Sequence, residues 1–248
     1  MQVEKLLFFK QLKFYNNKQS AMKGFSKSSI GKKVIMSVSG LFLILFLVFH
    51  MCMNLVVVFS DEAYNKVCEF LGTNWYALIG TGILALGFVV HIVYATILTI
   101  QNRKARGNDR YDNQNLPAGV EWSSKNMYAL GAIVFLGLVL HLTHFWSKMM
   151  FAELAGCEAV VDGQTIAPTN GAALIHYYFS NPLFVVLYLV WFVAIWFHLN
   201  HGFWSALHTV GASNTVWIPR LKKISTVFTS CVMGGFALTV LIEFFKSL

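Results

Sequence analysis

Residues 34–58 read VIMSVSGLFLILFLVFHMCMNLVVV. From Leu41 to Phe49 every position is apolar. A strand of a membrane β-barrel would instead alternate apolar and polar residues over about ten positions. An unbroken apolar run of this length fits a helix surrounded by lipid, because about 20 residues at about 1.5 Å each cross a hydrocarbon core of about 30 Å. One residue in the run is out of place in such a solvent: His50.

Four further runs share this character, at 75–100, 126–149, 182–206 and 224–245. The sequence therefore predicts an all-α integral membrane protein, a bundle of five transmembrane helices over 34–248 behind a basic segment, 1–33. Hydrophobic residues make up 56% of the chain and charged residues 12%, against roughly 25% charged in soluble domains. One bundle uses nearly the whole length, which leaves no room for a second folded domain. No internal repeat or low-complexity tract interrupts it.

The net charge of +8 is distributed as a membrane topology signal rather than as a nucleic-acid surface. Residues 1–33 hold eight lysines against Glu4 alone. Arg103, Lys104, Arg106, Arg110 and Lys125 follow the second run, and Arg220, Lys222 and Lys223 follow the fourth. The intervening segments 59–74 and 150–181 are acidic or neutral, with Asp61, Glu62, Glu69, Glu153, Glu158 and Asp162. Basic loops stay on the cytoplasmic side. The expectation is a cytoplasmic N-terminus, two larger outer loops and a periplasmic C-terminus. Val3–Tyr15, which mixes lysine with Leu and Phe, suits either an amphipathic helix on the inner surface or a docking segment for a soluble partner. The long basic region and the lack of an A-x-A-like site argue against a signal peptide.

Of the four cysteines, Cys52 and Cys231 fall within spans. Cys68 and Cys157 both fall on the outer side, where a disulfide is open to them. No CxxCH motif is present for covalent haem attachment.

The histidines carry the chemistry. An intramembrane polar group is costly and marks a functional site by default. His50, His91, His141 and His198 lie 15 or 16 residues into four successive spans, about 24 Å along each helix. Because successive helices run in opposite directions, His50 and His141 share an outer layer, while His91 and His198 share an inner one. Two facing imidazoles are what a six-coordinate haem iron requires at its axial positions, with the porphyrin lying between helices. The expected cofactors are two b haems, one on His50/His141 and one on His91/His198. His144 and His201 each follow a chosen ligand by three residues and are its alternates; otherwise they are hydrogen-bonding neighbours of the site. Gly40, Gly80, Gly82, Gly87, Gly131, Gly137 and Gly202 would let helices and porphyrin approach closely, as small residues do in membrane packing generally. A haem-free proton or metal transporter is the main rival class. Transporters usually add midplane carboxylates, and Glu243 is the acid found within these spans.

With Ser39-Gly40-Leu41-Phe42 leading to His50-Met51, His91 within VVHIVYA, Gly131 ten residues before His141, and Phe197-His198 followed by Gly202-Phe203-Trp204-Ser205, the chain resembles a known family. It is similar to the single-chain, five-helix, di-haem cytochrome b membrane anchor of bacterial succinate:quinone oxidoreductases, the succinate dehydrogenases and fumarate reductases. The resemblance covers all five spans. It implies a multi-pass subunit of the bacterial cytoplasmic membrane that carries a flavoprotein and an iron–sulfur subunit on its cytoplasmic face. The FAD, the clusters and the dicarboxylate site belong to those partners. The chain itself would relay electrons between them and a quinone, menaquinone by preference, and so act as part of an enzyme. Whether such complexes pair into dimers stays open. One departure concerns proton movement: some fumarate reductases of this family have a Glu two residues before the fourth-span ligand, where this chain has Trp196. Anchors of hydrogenase or formate dehydrogenase complexes are the nearest alternative.

Overall fold

The computed structural model describes Gly24 and residues 28–106, 121–212 and 214–248; the Val3–Tyr15 segment lies outside them. Five helices are long and apolar enough to span a membrane, and they form an all-α bundle. In chain order the elements are α1 (Ser29–Phe59), α2 (Asp61–Thr73), α3 (Trp75–Arg106), α4 (Trp122–His141), α5 (Met150–Ala155), β1 (Ala159–Val161), β2 (Gln164–Ile166), α6 (Gly171–Phe179), α7 (Pro182–Thr209) and α8 (Trp217–Lys246). A π turn, Leu142–Trp146, continues α4. The long helices are α1, α3, α4, α7 and α8.

These helices outrun the apolar stretches that predict them. α1 begins at Ser29 rather than 34, α3 runs to Arg106 rather than 100, and α8 begins at Trp217 rather than 224. Hydropathy reads only the lipid-immersed turns, whereas helix hydrogen bonding continues through the headgroup layer, where long basic side chains keep their charge in water. Side-chain caps mark the true starts. Ser28 Oγ accepts from Gly31 N at 2.9 Å, Asn181 Oδ1 from Leu183 N at 2.9 Å, and Asn214 Oδ1 from Trp217 N at 2.7 Å. Each satisfies an N–H that has no partner within its helix. Pro219 sits in the first turn of α8, where its missing N–H costs nothing.

The long helices alternate in direction, so the bundle has two unlike ends. One end holds the starts of α1, α4 and α8 and the ends of α3 and α7. Here Arg103 lies over the Tyr128 ring at 5.6 Å, Arg220 over Trp217 at 5.5 Å and Lys222 over Trp204 at 4.6 Å. This basic, aromatic end has the composition of a membrane interface. The opposite end carries the added structure: α2, α5, the β1–β2 hairpin and α6. Two features there depart from the sequence expectation of plain loops. The first is the antiparallel hairpin, with Ala159 opposite Ile166 and a turn at Asp162-Gly163 in positive φ. The second is α6, whose Ala172, Leu174 and Ile175 are almost fully buried. Asn170 caps α6 through Ala173 N, and Asn65 of α2 ties down both Asn170 and Ala172 N at 3.0 and 2.9 Å. α6 therefore plugs the bundle mouth instead of crossing open water.

Packing gives the ring its order. α1 lies against α3 and α7, and α4 lies against α7 but touches α3 only lightly. The cyclic order is α3–α1–α7–α4, loose between α4 and α3. α8 packs outside the ring against α1 and α7. Apolar side chains such as Leu45, Leu86, Leu136, Val190 and Val227 point outward, each more than half exposed. In lipid they need no other cover.

Candidate functional site

His50 of α1 and His141 of α4 occupy diagonal corners of the ring, as do His91 of α3 and His198 of α7. Both diagonals are closed. The His50 and His141 ring centroids are 5.7 Å apart at 82°, and those of His91 and His198 are 6.3 Å apart at 69°. A metal bound at about 2 Å to one nitrogen of each of two opposed imidazoles would set the ring centres about 6 Å apart. Both pairs have that spacing.

The same helices fix the separation of the two layers. A Cβ built on Gly40 would stand 3.3 Å from His91 Cε1, and one on Gly131 would stand 3.5 Å from His198 Cε1. Gly40 precedes His50 by ten residues, and Gly131 precedes His141 by ten. On both α1 and α4, then, a glycine faces one pair and a histidine ten residues later joins the other. Ten residues rise about 15 Å along a helix. α1 and α4 are thereby equivalent supports for the two sites.

Neighbouring groups orient the rings. Ser39 Oγ donates to Met36 O at 3.0 Å and lies 3.3 Å from His91 Nδ1. A hydroxyl that donates to Met36 O can accept from Nδ1–H, which would leave the Nε2 lone pair free. His198 Nδ1 is buried against Gly131 without a hydrogen-bond partner. At the other layer Phe46 stacks on His50 at 5.3 Å and Phe236 packs at 5.8 Å, while Trp191 stacks on His141 at 5.9 Å. Asn54 Nδ2, one turn beyond His50, lies 3.4 Å from its ring nitrogens and accepts from Tyr64 on its own Oδ1 at 3.3 Å. Trp191 is held in turn by its Nε1–H to Val134 O at 3.0 Å and by Gly137, whose space the indole fills.

The donor set is selective. Among the described residues no group of three or more His, Cys, Asp or Glu side chains is placed to hold a metal ion. A bare ion would need about four ligands. Two opposed imidazoles suit a metal whose other positions come from a planar macrocycle. The four histidines thus fit haem, and the glycines at Gly40 and Gly131 are open where a side chain would crowd the rings.

The two alternate histidines go elsewhere. His144 stacks on Tyr178 at 4.1 Å and 8°, with Tyr188 Oη 3.3 Å from its Nδ1. The π turn starting at Leu142 places the extra residue that separates His144 from the His141 direction. His201 Nδ1 lies 3.3 Å from Glu121, which Lys222 also pairs at 2.7 Å. Burial raises the Glu121 carboxyl, but Lys222 and His201 outweigh it and hold the group below its usual range. Trp196 donates from Nε1 to Ser230 Oγ at 3.0 Å. Glu62 pairs with Lys66 at 2.7 Å in the open. Cys68 and Cys157 are both free thiols, the first buried and the second exposed. Gly80, Gly82 and Gly202 meet no other residue within 4 Å, so helices do not approach closely at them. Sequence reasoning missed Asn54, Tyr188 and His176. Asn54 has a legible signal, its one-turn offset from His50; the others come from distant segments.

No family model, curated protein or solved structure matches the chain.

Proposed function

We propose that the chain is the cytochrome b membrane anchor of a bacterial succinate:quinone oxidoreductase, a succinate dehydrogenase or fumarate reductase, with two b haems. The observation that supports this best is the pair of diagonal His–His contacts at 5.7 and 6.3 Å, in two layers of one bundle, each with two nitrogens and no third protein ligand among the described residues. When bound, the haems would supply two one-electron relay sites, one in each layer.

The chain's own residues do the rest. His50 with His141, and His91 with His198, would hold the two haems. Ser39 would accept from His91 Nδ1–H, and such outer partners typically change metal retention 10–100-fold. Phe46, Trp191 and Phe236 keep water from the His50 layer. The basic residues gathered at one end argue that this end lies in the cytoplasm, and there the flavoprotein and iron–sulfur subunits dock. The end capped by α2 and α6 then faces the periplasm, and a quinone, menaquinone by preference, exchanges electrons near it. The dicarboxylate stays with the partners.

A pyridine haemochrome assay on the purified chain tests the reading. Two haems b per chain are expected, and a value near zero would end it. Co-purification of a covalent-flavin subunit is expected; a nickel or molybdenum subunit instead would move the chain to a different respiratory complex.

A further inference from the structure

Glu243 is wholly buried near the end of α8, at 0% exposure. A carboxyl in such a place is costly unless partners share its charge or its proton. Two elements bring partners to it. From its own helix, Lys246 Nζ lies 2.8 Å from Oε1 and also reaches Val57 O of α1 at 3.4 Å. From α6, His176 Nδ1 lies 2.7 Å from Oε2. The other nitrogen of that ring, Nε2, lies 2.8 Å from Asp61 Oδ2 at the start of α2. The side chains of His176 and Asp61 are 36% and 51% exposed, so the row runs from solvent to a buried acid.

The proton count makes this row more than a salt-bridge cluster. A neutral imidazole has one N–H and one lone pair. Here both nitrogens face carboxyl oxygens at hydrogen-bonding distance. Hydrogen bonds at both contacts at once therefore need one proton more than a neutral imidazole and two carboxylates hold. The Nδ1–Oε2 contact is close but misaligned, since Oε2 has no in-line donor. A modest turn of the ring makes or breaks that bond while Nε2 stays with Asp61.

We propose that Asp61, His176 and Glu243 form a proton relay between water at the α2/α6 end and the bundle interior. A proton on Glu243 passes to His176 Nδ1; the opposite nitrogen releases its own to Asp61 and then to water, and the reverse order brings one in. The relay opens near the His50 layer: Phe236, two turns before Glu243 on α8 and about 10 Å along it, packs on the His50 ring. This use rests on the cytochrome reading. Oxidation of a quinol to a quinone yields two electrons and two protons, and the relay takes those protons singly to the outside.

The test uses the full chain in liposome films with infrared detection. As pH is lowered, wild type should show a protonated-carboxyl band that Glu243→Gln removes. On transfer to D2O that band should shift at least tenfold more slowly in His176→Phe than in wild type, and severalfold more slowly in Asp61→Asn, whose half-exposed site tolerates the change. Equal exchange rates in wild type, His176→Phe and Asp61→Asn would overturn the relay, as would the absence down to pH 4 of a band that Glu243→Gln removes. A purely structural cluster predicts lowered stability in these variants without the ordered slowing. Optical spectra of the same films report haem separately, so a failed cytochrome reading is visible on its own.

Discussion

At the scale of single residues, Gly40 and Gly131 control the His91/His198 site from two different helices. Their missing side chains leave 3.3 and 3.5 Å to the histidine rings, too little for anything larger than a methyl group without movement. On the proposed reading, Gly131→Leu should therefore remove the haem assigned to His91 and His198 and spare the other, lowering content from two to one per chain. A potentiometric titration followed optically should lose one component, the same one lost in His91→Ala and His198→Ala. Loss of different components in those two histidine variants would refute the pairing. Ser39→Ala removes one hydrogen-bond partner of His91 Nδ1 and, on the proposed reading, should weaken haem retention at that site about 10–100-fold, measured by transfer to a haem-scavenging globin. The four histidines are legible in sequence because a polar ring in an apolar run is conspicuous. Ser39 and Asn54 are less so, because a Ser or Asn in a membrane helix has many ordinary uses.

Among the elements, α6 and the π turn were not predicted. α6 is short, and hydropathy does not distinguish it from a loop that happens to be apolar. Its stability comes from the Asn170 cap and from Asn65 across in α2. Asn170→Ala removes both bonds and should cost about 1–2 kcal/mol, read from the detergent unfolding midpoint by circular dichroism. The contact between α4 and α7 depends on Gly137, where a Cβ would come within 2.1 Å of the Trp191 indole. Gly137→Ala should destabilise by about 1–3 kcal/mol through overpacking and disturb the His141 layer that Trp191 stacks on. The optical spectrum of that haem should shift in the same variant.

For the whole molecule, two expectations concern sidedness and thiol chemistry. The asymmetry of basic residues predicts that alkaline phosphatase fused after Leu248 is active and that a green fluorescent protein fused there is dark; the reverse would invert the topology. Burial pushes the Cys68 thiol up to about 11. At pH 8 only about a thousandth of it is thiolate, the form that reacts. Cys157, exposed, should alkylate first, and Cys68 should follow only as pH climbs toward 11. Mass spectrometry after timed labelling would show it. Unreduced protein should have four free thiols, so equal masses with and without reductant are expected.

Solvent preference and helical period suffice to specify five lipid-immersed helices, their alternating direction, and four histidines grouped by depth. Those depend on hydrophobicity along the chain and on the fixed rise of a helix, both local quantities. Whatever depends on rotation, or on distant segments meeting, had to wait for the folded bundle. Packing set the ring order that puts each histidine opposite its partner. It turned His144 toward Tyr178 and Tyr188 and His201 toward Glu121. It also brought Asp61, His176 and Glu243 into one row from residues 182 positions apart at the extremes. A residue's depth is written in its position along one helix. The direction it faces depends on how that helix packs on its neighbours, and this is a property of the assembled bundle.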